Sequence, residues 1–202
     1  MPRNRLKLHA PAEDVLSAAE AFALPFYAQP HRAYHNAQHV RAVLHALASR
    51  GVLTPALALA VWGHDLIYDP QAPDNEGRSA EVFGGWLAAQ GAEAELVQEV
   101  TALILATRHT SPPRTRAEAV LVDADLSILG ADVDTFAAYD AAIRQEYVFV
   151  PEADYRAGRA RVLRGFLERE QLYVTPEFAA LEGQARANLT AALAQLELAR
   201  LE

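Results

Sequence analysis

The chain has 202 residues, 51% of them hydrophobic, and 26 acidic against 18 basic side chains give a formal charge of −8. That balance excludes the basic stripe with which a protein displaces counterions from a nucleic-acid polymer. The absence of cysteine excludes disulfides and thiolate zinc sites, and no apolar run reaches the ~18 residues of a membrane span. Residues 1–9 are basic but lack the apolar core of a signal peptide, so a cytoplasmic protein folded as one domain over residues 1–202 is expected.

Helical spacing runs through almost the whole chain, and no β-branched alternation interrupts it, which predicts an all-α bundle. A first helix over 11–22 places Val15, Leu16, Ala19 and Phe22 on one face, with Pro25 ending or kinking it. After a loop containing His31, Arg32 and His35, Asn36 is placed to cap a second helix with the stripe Val40, Val43, Leu44 and Leu47, closed by Gly51. His39 falls in its first turn. Thr54 and Pro55 read as the cap and first position of a third helix. Its run from Ala56 to Trp62 is apolar on every face, so this helix is expected to be buried. It leads into His64 and Asp65, and a buried carboxylate stays ionised only with a partner such as a cation. A polar loop from Asp69 to Asn75 comes next.

The helix expected over 76–90 turns Ala80, Phe83 and Leu87 inward, with Glu76 on the same face. Gly84 and Gly85 weaken it, a pattern that suits close packing. Residues 93–107 are amphipathic through Leu96, Val100, Leu103 and Ile104. A loop with Arg108 and His109 precedes a helix over 118–129 that Gly130 stops. Three longer helices finish the chain, over 133–148, 152–170 and 176–201, the last capped by Thr175.

An adjacent His64–Asp65 is a weak signal alone. It gains weight from His39 upstream and an aspartate downstream, each on its own apolar helix. Of the two downstream aspartates, Asp125 has Leu121, Val122, Ile128 and Leu129 three and four residues away, whereas Asp123 borders smaller neighbours. Asp125 is therefore expected to be the buried ligand and Asp123 the shallower residue. His9, His31 and His45 read as surface or structural.

His39, His64–Asp65 and Asp125 resemble, in order and helical context, the H…HD…D set of the HD superfamily of metal-dependent phosphohydrolases. The stretches from Tyr34 to His39, from Asp74 to Glu76 with Ser79–Ala80, from Asp123 to Gly130 and from Ile143 to Tyr147 are similar to a bacterial subgroup with no assigned substrate. The resemblance implies an HD-domain helical bundle and one divalent metal held by His39, His64, Asp65 and Asp125. Mn²⁺, Co²⁺, Fe²⁺, Ni²⁺ or Zn²⁺ suits such a mixed N/O set, Mg²⁺ less well. Superfamily members with two metals use two histidines between the HD pair and the last aspartate. Here only His109 lies there, which favours one metal and makes His109 a substrate contact.

The implied function is hydrolysis of a small phosphate ester or anhydride, a nucleotide above all, by metal-activated water. Asp69 or Glu76 would orient or deprotonate that water. Asp69 reads equally as a turn residue before Pro70, and Glu76 as a first-turn carboxylate favoured by the helix dipole. His35 and Arg144 are the further substrate-binding candidates; Arg32, Arg41, Arg78, Arg108, Arg156 and Arg159 are the remaining cations available to a phosphate. Alarmone hydrolases of the superfamily carry HDxxED, and Tyr68 replaces the first acid of that pair. Two alternatives stay open: a di-iron oxygenase of HD type, and a non-catalytic nucleotide sensor that keeps the metal site.

Overall fold

The computed structural model describes residues 12–198, and among these every regular element is a helix. His9, the start of the first helix at Pro11 and the end of the last at Leu201 lie outside the described residues. The helices are α1 (Ala12–Tyr27), α2 (Ala37–Ser49), α3 (Pro55–Gly63), α4 (Asn75–Ala89), α5 (Ala94–Ala106), α6 (Arg116–Asp125), α7 (Val133–Glu146), α8 (Glu152–Leu167) and α9 (Glu182–Leu198). The chain divides into two compact units, 1–122 and 123–202, and the division falls within α6 rather than in a linker. No described helix is long and apolar enough to cross a membrane.

In the first unit α3 is the core. Every residue from Ala56 to Gly63 is buried, and α1, α2, α4 and α5 pack against it. Thr54 caps it by accepting the Leu57 N–H, with Pro55 behind it, as the sequence predicts. Asn36 caps α2 by accepting from Gln38, and Gly51 closes that helix in the left-handed conformation only glycine adopts at no cost. Of the glycine pair in α4, Gly84 serves close packing: a Cβ there would stand 2.6 Å from Thr101 Cγ2 on α5, while one on Gly85 would meet nothing. Phe22 of α1 stacks on Trp86 of α4 at 4.8 Å between ring centroids. At the end of α3, a Cβ on Gly63 would lie 2.6 Å from Ile104 and 2.8 Å from the Phe83 ring.

Helix ends depart most from expectation. α1 runs past Pro25 to Tyr27, because a proline in the last turn removes one bond while the Ala28 N–H still reaches Leu24 O at 3.0 Å. α3 stops at Gly63, so His64 and Asp65 lie just beyond its last turn. α7 ends at Glu146 instead of 148, where Arg144 donates to Tyr147 O and Val150 O. α8 ends at Leu167 instead of 170, where Arg186 donates to Leu167 O, Arg169 O and Glu170 O.

The second unit is arranged around the turn at the end of α6. The helix expected to continue to 129 tightens at Leu126 into a 3-10 turn, Leu126–Gly130. Tyr173 Oη donates to Leu126 O, and Asn188 Nδ2 donates to Leu129 O and Ala131 O. Gly130 is not a left-handed stop; it admits Leu181, whose Cβ would stand 2.7 Å from a Cβ on residue 130. The last helix begins at Glu182, not Pro176. Thr175 does not cap it, because its hydroxyl donates to Asp123 Oδ2 at 2.6 Å.

The contacts of Gly63 carry a prediction. Gly63→Ala forces a methyl into the Phe83 ring and should lower unfolding free energy by about 1–3 kcal/mol, whereas Gly85→Ala should not destabilise. Urea denaturation of the two variants checks the contrast.

Candidate metal centre

A helix leaves its last carbonyls without intrahelical donors, and in a buried helix those carbonyls need protein partners. At the end of α3 two of them are met by side chains, and so are the carbonyls of the segment that follows. His64 Nδ1–H donates to Val61 O at 2.8 Å, and Tyr27 Oη to Trp62 O at 3.0 Å. Leu66 N–H reaches Gly63 O at 3.3 Å. Arg32 donates through Nη1 to Asp65 O at 2.7 Å and through Nη2 to Leu66 O at 2.9 Å. Ser79 Oγ donates to Ile67 O and accepts the Ile67 N–H. His31 Nε2–H donates to Tyr68 O, and Asn75 Nδ2 to Asp69 O. The segment from His64 to Asp69 is thereby fixed without being helical.

The bond to Val61 O places the proton of His64 on Nδ1 and leaves Nε2 as a lone pair. That Nε2 lies 3.1 Å from His39 Nε2 and 3.1 Å from Asp65 Oδ2; His39 Nε2 to Asp65 Oδ2 is 3.5 Å. Ligands about 2.0–2.1 Å from one cation stand about 2.8–3.0 Å apart in octahedral and about 3.3–3.4 Å apart in tetrahedral coordination, and the three edges lie within a few tenths of an ångström of these spacings. The lone pairs of His64 Nε2 and Asp65 Oδ2, 3.1 Å apart, repel unless a proton or a cation lies between them. His64 is 1% exposed and His39 5%. Burial works to raise the pKa of Asp65, but positive charge at the imidazoles of His64, His35 and His39, which a bound cation would equally supply, outweighs it and holds the carboxyl well below the usual range. The negative end of the α3 dipole also favours positive charge here. His39, His64 and Asp65 can therefore hold a metal ion.

His35 stands beside this set, its ring 5.9 Å from that of His39 and stacked on Tyr68 at 4.3 Å. Asp125 is half-buried at the last position of α6, in the second unit. The expected order of burial of the two aspartates is reversed. Asp123 is fully buried, and its carboxylate is taken up by Val174 N–H, Thr175 N–H and the Thr175 hydroxyl. Burial pushes its carboxyl up, against those hydrogen bonds. Neighbours on its own helix could not reveal this, since the segment that covers Asp123 lies about fifty residues on.

Asp69 is exposed, and its bonds are those of a turn: Oδ1 accepts from Gln71 N–H, and its own N–H donates to Asn75 Oδ1. Glu76 is half-buried in the first turn of α4, its carboxylate 4.0 Å from Arg108 Nε. The Arg108 guanidinium lies against Gly77, where a Cβ would be 2.6 Å from Nη2. His109 is half-buried just after α5 with φ 55°, the left-handed conformation in which helices stop on glycine or asparagine. Arg144, expected to bind phosphate, is instead bound to its own unit: to Tyr147 O, Val150 O and the Glu152 carboxylate, and over the Tyr155 ring. Arg159 is likewise buried on Asp140, and Arg32 is buried on the carbonyls above. His31 and His45 are exposed. The role of Arg32 escaped the sequence reading; the arginine among polar residues gave no sign of burial.

No family model, curated protein or solved structure matches the chain.

Two variants separate stability from metal binding. Asp123→Ala should cost about 2–4 kcal/mol of stability, having left the two buried donors of Thr175 and the part-buried Val174 N–H unmet, yet keep its metal. His64→Ala should lose metal while remaining folded. Elemental analysis beside urea unfolding reads both.

Proposed function

We propose that the chain is a metal-dependent phosphohydrolase of HD type, acting on a small phosphate ester or anhydride and most readily on a nucleotide. The observation that carries the reading is the convergence of His39 Nε2, His64 Nε2 and Asp65 Oδ2 at ligand spacing. The order H…HD along the chain supports it. Asp125, from the sequence, is the proposed fourth ligand. A divalent cation so held supplies Lewis acidity toward a phosphoryl oxygen and lowers the pKa of water.

The remaining steps belong to the chain's own groups. Val61 O keeps His64 in the Nδ1–H tautomer, so Nε2 is always presented. Glu76 is our choice for the acid that orients and deprotonates the attacking water, because it is half-buried, whereas the Asp69 carboxylate already serves its turn. Arg108 next to Glu76 supplies positive charge for the transferring group. His35 and His109 are the proposed substrate contacts. For His109 the support is its backbone: a non-glycine residue held left-handed costs about 1–2 kcal/mol, and such strain concentrates where side chains are used.

The test is turnover of a phosphate panel by metal-loaded protein with about one equivalent per chain. Nucleoside phosphates should be hydrolysed, and metal removal should abolish this. Two equivalents of iron with oxygen-dependent turnover would replace the reading with an oxygenase, and nucleotide binding without turnover would replace it with a sensor. Within the panel, Glu76→Gln should lower kcat by roughly 10²–10⁴-fold with KM and metal content near wild type. Asp69→Asn should stay within about tenfold; the reverse ranking would return the role to Asp69.

A further inference from the structure

The structure assigns Arg32 as the positioning residue of the metal centre, an inference that rests on His39, His64 and Asp65 being ligands. Arg32 is not available to a phosphate: it is 6% exposed. Its guanidinium lies over the rings of Tyr27 and Tyr68, at 5.1 and 5.5 Å from their centroids. It fastens the two ligand-bearing segments to each other. On one side Nη1 donates to His35 O at 3.0 Å, one residue before the Asn36 that caps the helix of His39. On the other side Nη1 and Nη2 hold the backbone oxygens of Asp65 and Leu66. The Nε edge is held in turn by Gln29 Oε1 at 3.0 Å.

A planar fork with fixed donor directions can bridge these carbonyls; the single ammonium of lysine cannot meet them together. The peptide plane of Asp65 sets where its carboxylate points. Arg32 thus acts through backbone, not by touching a ligand atom or a substrate. The cation-facing geometry depends on the guanidinium.

The experiment is a Co²⁺ titration of the full chain, with affinity from competition against a chelator and coordination from the visible absorption bands at saturation. Arg32→Lys should remain folded, bind Co²⁺ roughly 10–100-fold more weakly, the range seen for groups that orient ligands, and show altered bands. Arg186→Lys is the control. It makes the same change at a guanidinium that holds backbone carbonyls, but at the end of α8 in the second unit, and should leave affinity and bands unchanged. Wild-type affinity and bands in Arg32→Lys would overturn the assignment while leaving the metal centre intact. A wild-type chain that bound no Co²⁺ would overturn the metal centre and the assignment with it. If Arg32→Lys does not fold, Gln29→Ala decides: this exposed residue can be removed safely, and the loosened guanidinium should weaken Co²⁺ binding and shift the bands. Unchanged values in Gln29→Ala would overturn the assignment.

Discussion

The buried C-terminal end of α3 sets the terms for everything around it. A helix surrounded by apolar side chains has no water at its last carbonyls, and a carbonyl left bare there costs on the order of 1–3 kcal/mol. His64 and Tyr27 meet the helix oxygens of Val61 and Trp62, and Arg32, Ser79, His31 and Asn75 take those of the segment that follows. The same solution that satisfies the backbone fixes the tautomer of His64 and the course of the chain through Asp65. Capping and ligand geometry are one arrangement.

The acidic character of the chain fits this economy. Cations are few, and the best placed are engaged inside: Arg32 on the oxygens after α3, Arg159 on Asp140, Arg144 and Arg186 on the ends of α7 and α8. Arginine suits these tasks because its donors are fixed in a plane and it stays charged when buried. Arg108 rests on the first turn of α4 beside Glu76, and there Gly77 makes the room.

Much of this was legible in the sequence where the signal is local. Asn36, Thr54, Pro55 and Gly51 act as their positions imply, α3 is buried as its uniform apolar run demands, and Gly84 does serve close packing. The ends of α7 and α8 read too late from the sequence, because Arg144 and Arg186 take carbonyls just past the true last turns. The depth of Asp123 was underestimated because periodicity sees neighbours at three and four residues, while Val174 and Thr175 arrive from elsewhere. The His39, His64 and Asp65 grouping was legible because residue types and order suffice to suggest it. The fork of Arg32 was not, since burial of an arginine depends on partners that only folding assembles.

The bonds that shape the segment after α3 have a kinetic side. Arg32 is 33 and 34 residues from its acceptors on Asp65 and Leu66, Tyr27 is 35 from Trp62, and His31 is 37 from Tyr68. Contacts at such separation must close a long loop before they return any energy, and loop closure is slow compared with helix growth. Helices α2 and α3 can therefore form early, with the ligand-bearing turn still unsettled between α3 and α4. The turn acquires its shape only when the loop ahead of α2 docks, so the cation site cannot be complete before that docking.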